Sequence, residues 1–267
     1  MGARNVQTGS TPERKKRSRK PRARNAPPKM TSNTRLPDMP KNSQLVYRDL
    51  LQAIISMKLV PGTPILEREI TQRYGISRTP VREAVLRLAR DRLVDVVPKS
   101  GTFVARIPFS DLREAIVARR ALEAVTVRAA TEKASESQIM ELRAIVQRQR
   151  ETAEAGQEEA FHHADDAFHA AIAAAGRLPG IWDMIRQIRI QVERYRRLTL
   201  PQPGRMMLVV SEHGAVLDAM ARRNADEAVE RMTLHLNKLK LDTAVFRDLW
   251  PDYFIYDPNT DDDILTN

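Results

Sequence analysis

The stretch that decides the fold runs from Glu67 to Val104 and reads EREITQRYGISRTPVREAVLRLARDRLVDVVPKSGTFV. Its first eight residues place Ile70 and Tyr74 four positions apart, which gives a short helix one face that can be buried. Gly75 follows directly and permits the positive φ at which many helices end. These residues predict a short helix followed by a tight turn.

A second helix is predicted after that turn. Ser77 is placed to act as its N-cap, and Pro80 lies in the first helical turn, where a missing N–H costs nothing. The apolar residues that recur at helical spacing are Val81, Ala84, Val85, Leu88 and Ala89. Arg78 and Arg82 lie four residues apart on another face, near the N-terminal end of the helix.

Two short strands are predicted after the second helix. Leu93 to Val97 is rich in β-branched residues, Pro98 to Gly101 supplies a turn, and Thr102 to Ala105 returns. The order helix, turn, helix, hairpin is that of a winged helix-turn-helix, whose second helix enters the major groove of DNA. The sequence therefore predicts a DNA-binding domain.

Seven residues of this module are candidate DNA contacts. Arginine can read guanine through two parallel hydrogen bonds, whereas lysine suits a phosphate. An exposed arginine taken singly is more often a solvated side chain, so the prediction depends on their occurrence together in one module. The candidates are Arg68, Ser77, Arg78, Thr79, Arg82, Lys99 and Gly101.

The segment from Tyr47 to Val104 resembles the DNA-binding domain of the GntR family of bacterial repressors, through PGTPILEREI, GISRTPVREAVLRLARDRLV and PKSGTFV. The resemblance implies operator contacts from Arg68, Arg78 and Arg82, with Thr79 and Gly101 alongside. This chain has Arg92 where the family usually has a glycine before the wing. If Arg92 adopts a left-handed conformation, we expect a cost of about 1 kcal/mol relative to glycine.

Composition excludes several classes of protein. The chain has 267 residues, enough for two domains with separate cores, and it has no cysteine for disulfides or thiolate chemistry. No apolar run approaches the roughly 20 residues of a membrane span, and no apolar segment follows the basic N-terminus as in a secretory signal. We therefore predict a cytoplasmic protein with no membrane partner, and the resemblance given above implies a bacterial, nucleoid-associated one.

Positive charge is concentrated at the N-terminal end. Residues 1–41 contain 12 Lys and Arg against 2 Asp and Glu, whereas residues 107–267 contain 21 against 26. The run RKKRSRKPRAR, from Arg14 to Arg24, is poor in large apolar residues and cannot bury enough surface to order itself. We predict a disordered basic tail over residues 1–41, which can hold the DNA backbone without sequence preference.

From Ser110 onward, apolar residues recur at helical spacing in six segments. The predicted helices span residues 110–133, 135–155, 158–175, 179–200, 205–223 and 225–250. Short connections favour antiparallel neighbours in a bundle, and the scarcity of glycine and β-branched runs favours an all-α domain.

The predicted fold class is mainly α, in two domains. A winged helix-turn-helix with a small β wing occupies residues 42–106, and an all-α six-helix bundle occupies residues 107–250. The segment Leu249–Phe254 is predicted to act as an apolar latch on the bundle or on a dimer partner, within a C-terminal tail over residues 251–267.

Four residues of the bundle are candidate ligands for a divalent metal. Asp165 and His169 lie four apart on one helical face, while His213 and His235 lie in the fifth and sixth helices. One carboxylate and three imidazoles suit Zn²⁺ or Ni²⁺ and leave positions open for water or a ligand. Spacing alone supports only the first pair, since a single histidine on a helix is more often packed or exposed. Nearby alternatives are Asp166, His162 and His163.

The motifs DDAFHAAIAAAG, SEHGAVLDAMARRNADEAVERM and TLHL resemble the FCD effector-binding bundle of the FadR branch of the GntR family. Six helices suggest its VanR-like subgroup. The resemblance implies a metal held by Asp165, His169, His213 and His235, beside a small carboxylate effector. Arg177 stands after Gly176, where the family usually has asparagine. Arg120 is the candidate for binding the effector carboxylate.

Three functions remain to be compared. The leading interpretation is a homodimeric, metabolite-responsive regulator, a repressor by family tendency, that binds an inverted-repeat operator and senses a small organic or sugar acid at a metal-containing pocket. A metal-dependent hydrolase fused to a DNA-binding module is the alternative, although the sequence offers no catalytic motif. An architectural DNA-binding protein would leave the polar cluster of the bundle without a purpose. We predict a regulator and not an enzyme.

Overall fold

The computed structural model describes residues 1–3, 40–238 and 248–256. The predicted basic tail lies almost entirely outside the described residues, as do the acidic C-terminal end and residues 239–247 of the predicted sixth bundle helix.

The winged helix-turn-helix is confirmed. Its elements are α1 (Lys41–Ile55), α2 (Glu67–Tyr74), α3 (Arg78–Arg90), β1 (Val94–Val97) and β2 (Gly101–Val104). The two strands are antiparallel, in a register that pairs Val94 with Val104 and Val97 with Gly101. α1 and α3 pack on each other and on the base of the wing, around Val46, Ile54, Val85, Leu88 and Leu93.

The turn between α2 and α3 follows the local sequence. Gly75 ends α2 in the left-handed conformation, with a φ of 62°. Ser77 occupies the N-cap position of α3 in an extended conformation, but its side chain makes no capping hydrogen bond. The predicted capping role of that hydroxyl is therefore wrong.

Arg92 adopts the left-handed conformation, with a φ of 57°. The family glycine is replaced here by a residue whose Cβ crowds the backbone in this region. The Arg92 side chain, which is 75% exposed, forms an ion pair with Asp111 at 3.2 Å. An ion pair of that exposure contributes little, so the strain of about 1 kcal/mol is only partly offset.

A short linker joins the two parts of the chain. β3 (Ile107–Pro108) leads directly into α4 (Phe109–Lys133). β3 pairs in parallel with β4 (Phe254–Ile255), near the C-terminal end of the described chain.

The rest of the described chain is a helical bundle. It is built from α4, α5 (Glu136–Glu154), α6 (Glu158–Ala175), α7 (Pro179–Ile188), α8 (Ile190–Thr199), α9 (Arg205–Ala221) and α10 (Ala225–Asn237). The predicted helix over residues 179–200 is divided at Arg189 into α7 and α8. α4 packs on α6 and α10, and α5 packs on α6 and α9, so that α4, α6, α9 and α10 surround the interior of the bundle.

Gly176 sets how closely α6 approaches α4. A Cβ at this position would lie 2.9 Å from the backbone oxygen of Thr126 and 3.1 Å from the backbone nitrogen of Ala130. Arg177 then reverses the chain with a φ of 62°, a conformation that asparagine adopts more readily than arginine. The left-handed backbone at this position therefore explains why the family usually has asparagine there.

Candidate functional site

The seven candidate DNA contacts all lie on the surface of the winged domain. Arg68 lies in α2, Arg78, Thr79 and Arg82 lie in the first two turns of α3, and Lys99 lies in the wing turn. Ser77 and Gly101 are also exposed. Within the part of the chain that the structure describes, none of the three arginines forms an ion pair. Their charges therefore face solvent without a neutralising carboxylate.

Three buried histidines meet inside the bundle. His169 comes from α6, His213 from α9 and His235 from α10. One nitrogen of each lies within 4.8 Å of the others, and the Nε2 atoms of His213 and His235 are 3.2 Å apart. The fold thus brings together three of the four predicted metal ligands through their ring nitrogens.

Each imidazole is oriented by an oxygen atom at its other nitrogen. The Nδ1 atom of His169 faces Glu123. That of His213 lies 2.9 Å from Gln149, and that of His235 lies 2.7 Å from Glu212. Since these oxygens accept hydrogen bonds, each Nδ1 carries the proton and each Nε2 carries a lone pair. Lone pairs that converge in this way repel each other, and a cation between them would remove the repulsion.

Asp165, the fourth predicted ligand, lies beside the three histidines. It is fully buried, and its Oδ1 atom has no hydrogen-bond partner among the described residues. That oxygen lies 3.9 Å from His213 Nε2, while Oδ2 lies 4.0 Å from His169 Nε2. Buried polar atoms are almost always satisfied, so an unpartnered carboxylate oxygen beside three imidazoles fits the donor set of a divalent metal.

Two buried arginines reach the cluster. Arg119 on α4 pairs with Glu123, and its Nη2 lies 3.0 Å from His169 Nε2. Arg196 on α8 donates from Nη1 to Asp165 Oδ2 at 2.6 Å, and its Nη2 has no hydrogen-bond partner in the described chain. Arg120 is only half-buried. The arginine that contacts His169 is the preceding residue, Arg119. Sequence reasoning missed both Arg119 and Arg196.

The protonation states suit a metal. Burial, together with the neighbouring His235, holds the pKa of His213 well below its usual value. Burial also lowers the pKa of His235. Burial alone would raise the pKa of Asp165, but Arg196 outweighs it and holds the pKa well below the usual value. The lowered pKa values favour the neutral form of His213 and His235 and the ionised form of Asp165, the forms that bind cations.

The alternative ligands lie elsewhere. His162 is buried and its Nδ1 is 3.7 Å from Glu193, whereas the side chain of His163 is 70% exposed. Asp166 pairs with Arg189 at 2.5 Å. His162 and Asp166 line a cleft of about 350 Å³ between α1 and the helices α6 to α8, at the junction of the two domains.

Comparison with known proteins identifies the family. The model of the bacterial regulatory proteins of the gntR family matches residues 42–104, and the FCD domain model matches residues 114–238. The HTH-type transcriptional repressor RspR of Escherichia coli is 30% identical over 226 residues, which cover 84% of this chain and 99% of RspR. The chain belongs to the GntR family.

Other members of the GntR family agree with this assignment. A probable D-xylose utilization operon transcriptional repressor of Paenarthrobacter nicotinovorans is 34% identical over 193 residues, 71% of this chain and 83% of that protein. The structure of E. coli McbR/YncC superposes with a TM-score of 0.65 at 21% identity, over 79% of this chain and all of that one, which supports the fold. These proteins are transcriptional regulators and not enzymes, so the hydrolase alternative is not supported.

None of the helices in the described part of the chain is both long and apolar enough to span a membrane.

Proposed function

We propose that this GntR-family regulator is a cytoplasmic, nucleoid-associated homodimer that represses transcription and senses a small organic or sugar acid at a metal-containing pocket. The observation that carries the proposal is the meeting of the ring nitrogens of His169, His213 and His235 beside Asp165, whose Oδ1 has no hydrogen-bond partner among the described residues. The proposed domains are those expected from the sequence, with the winged domain over residues 42–106 and the effector domain over residues 107–250.

The metal would be held by Asp165, His169, His213 and His235. Imidazole nitrogen with one carboxylate oxygen is a donor set suited to Zn²⁺ or Ni²⁺. When bound, such an ion would offer an acidic effector a positively charged centre inside the bundle. Glu123, Gln149 and Glu212 would keep the three rings in position through their Nδ1 atoms.

The effector carboxylate is assigned to Arg119 and Arg196. Both guanidinium groups reach the histidine cluster, and Arg196 Nη2 has no hydrogen-bond partner in the described chain. Arginine binds a carboxylate through charge-assisted hydrogen bonds, and a buried donor without a partner is costly until a ligand satisfies it. Arg120 remains a weaker candidate, because it lies on the edge of this face of α4. The D-xylose operon repressor among the relatives supports an effector related to sugar metabolism, while the acid group is inferred from the two arginines.

The operator would be read by two winged domains, one from each protomer. Arg68, Arg78 and Arg82 carry exposed charge at the N-terminal end of α3 and beside it, and Ser77, Thr79, Lys99 and Gly101 complete the proposed surface. A dimer would bind an inverted repeat with its half-sites about one helical turn apart. The exposed residues Val117, Ala121 and Val125 form an apolar stripe on α4 that supports pairing with a second copy.

Elemental analysis of the purified protein, run beside operator binding with a panel of organic and sugar acids, tests the proposal. We expect close to one metal per chain and a metabolite that changes operator affinity by about 5–150-fold. His213→Ala should lower the metal content, because it removes a buried ligand. His163→Ala is the matched control, since that side chain is exposed and lies outside the cluster. Full metal content in His213→Ala would overturn the ligand set, and wild-type protein without metal would overturn the metal-containing pocket.

A further inference from the structure

The last described segment of the chain, Trp250–Tyr256, packs on the linker between the two domains. It lies beyond residue 238, where the match to the FCD domain ends. A 3-10 turn over Pro251–Tyr253 leads into β4, which pairs in parallel with β3 so that Phe254 lies opposite Ile107. Phe254 is 3% exposed, which shows that this pairing is covered rather than peripheral.

The aromatic side chains of the segment join three elements. Phe254 stacks on Phe109, at the first residue of α4, with ring centroids 4.8 Å apart. Tyr195 on α8 approaches Phe254 edge to face at 6.4 Å, and Tyr256 approaches Phe109 in the same way at 6.3 Å. Each such pair adds to the burial of apolar area. The linker, the start of α4 and the middle of α8 therefore share one small core with the C-terminal segment.

The linker is also held where it leaves the wing. The Ala105 N–H donates to the Leu93 oxygen at 2.9 Å, and the Ala105 carbonyl accepts from Arg194 Nη2 at 2.5 Å. Arg194 is fully buried on α8, and the two oxygens to which it donates are neutral, since Nη1 donates to the side-chain amide of Gln191 and Nη2 to the Ala105 carbonyl. Burying a guanidinium without a carboxylate partner costs solvation free energy, so the Arg194–Ala105 contact lowers the stability of the fold while it holds the linker.

Elsewhere, the two domains meet where α1 contacts α8, and Ile190 of α8 packs against the core of the winged domain. An open cleft of about 350 Å³ borders this contact and is lined by residues of α1, α6, α7 and α8. The junction is therefore packed only in part, and the linker contacts add to what holds the winged domain.

We propose that Trp250–Tyr256 is a clasp that closes over the linker and fixes the placement of the winged domain relative to the bundle. The segment occupies the open edge of β3 by strand addition, and Phe254 locks it in place between Phe109 and Tyr195. Its effect on DNA binding rests on the proposed dimer, because the clasp would set the spacing at which two winged domains meet two half-sites.

Hydrogen exchange of the full-length protein tests the clasp without reference to DNA. In Phe254→Ala, we expect peptides that cover residues 104–110 to exchange at least about tenfold faster, while the core of α6, α9 and α10 stays protected. Ile255→Ala is the matched control, because Ile255 is the next residue of the same strand and is 45% exposed. Phe254→Leu keeps an apolar side chain and should restore most of the protection.

The same variants should change how the protein responds to half-site spacing. When two base pairs are added between the half-sites, we expect the operator affinity of the wild type to fall by about tenfold. In Phe254→Ala, and in a chain that ends at Leu249, we expect the same insertion to lower the affinity by less than about threefold. Unchanged exchange at residues 104–110 in both variants would overturn the clasp, as would a uniform loss of protection throughout the bundle. A monomeric wild type without spacing preference would instead overturn the proposed dimer, and the exchange result would still decide the clasp.

Discussion

The arginines of α3 and those of α8 lie in opposite environments. Arg78 and Arg82 are exposed, and neither forms an ion pair within the described residues, whereas Arg194 and Arg196 are buried and hydrogen-bonded. A guanidinium that faces solvent is free to neutralise a phosphate or read a base. A buried guanidinium is already committed to oxygen atoms inside the protein. The same side chain is thus available to an outside partner in one domain and committed to internal contacts in the other.

The largest expected difference concerns folding stability. Arg196→Met would leave the buried carboxylates of Asp165 and Glu193 without their shared partner. Breaking a buried charge network in this way costs about 3–5 kcal/mol of unfolding free energy. Urea denaturation measures the loss. Arg222→Met is the control, because Arg222 and its ion pair with Glu227 lie at the surface, and we expect no measurable change. Equal losses in the two variants would contradict the contrast between buried and exposed arginines.

The adjacent residues His162 and His163 extend the contrast to pH. Burial, with a contribution from Arg196, lowers the pKa of His162 to about 4. The unfolded chain therefore binds a proton at His162 more readily than the folded chain does. The contribution of His162 to the free energy of unfolding is fully present above the unfolded pKa of about 6.5. It is lost as the pH falls toward 4, and the loss amounts to about 3 kcal/mol.

Urea denaturation between pH 7 and pH 4 checks this sign. His162→Gln should flatten the fall in stability over that window, because it removes the titrating group. His163→Gln, at the exposed neighbour, should leave the wild-type profile in place. A wild-type slope that persists in His162→Gln would assign the pH dependence to other groups.

A smaller effect is expected at the DNA surface. Arg78→Ala should weaken operator binding by about 1–3 kcal/mol and relax the preference at one base pair. Because Arg78 is exposed, its removal should leave the unfolding free energy within about 0.5 kcal/mol of the wild type. Binding to an operator selected from random DNA measures the first effect. Arg90→Ala, at the exposed far end of α3, is the control and should bind normally. Normal binding by Arg78→Ala would remove α3 from the base-reading role.

The smallest expected effect is a gain. Arg92→Gly should relieve the strain of the left-handed backbone and stabilise the winged domain by up to about 1 kcal/mol, less the weak ion pair with Asp111. Arg106→Gly is the control, because its backbone is not left-handed and glycine there only adds freedom to the unfolded chain. A loss of stability in Arg92→Gly would mean that the ion pair outweighs the strain.

The winged domain was predictable because its signals are local. Gly75 ends α2, Arg92 turns the chain before the wing, and the apolar positions of α3 face the core as expected. Each of these signals acts within a few residues of its own position. The number of bundle helices was harder to predict, because the sequence near Arg189 does not distinguish one continuous helix from a helix divided into α7 and α8.

The candidate site was predictable only in part. The structure brings together the histidines and Asp165 that the resemblance implied, but the arginine of α4 that contacts His169 is Arg119, the residue before the predicted Arg120. The buried positions of α4 include a series at helical spacing that contains charged residues, namely Leu112, Ile116, Arg119, Glu123, Thr126 and Ala130. The sequence interpretation gave weight to apolar residues instead, and Val117 and Val125 prove to be exposed. Hydrophobicity alone points to the wrong face when a bundle buries a polar cluster.

The glycine at the end of α6 has a consequence for how the proposed effector site can change over generations. α6 carries Asp165 and His169, and α4 carries Arg119 and Glu123, so the close approach of the two helices at Gly176 helps to set the distance between these two pairs of side chains. A methyl group at Gly176 would press on the α4 backbone and move the helices apart without altering any of the four side chains. Under the proposed function, selection for a larger effector can therefore act through a residue that does not bind it, while the side chains proposed to bind its acid group stay the same.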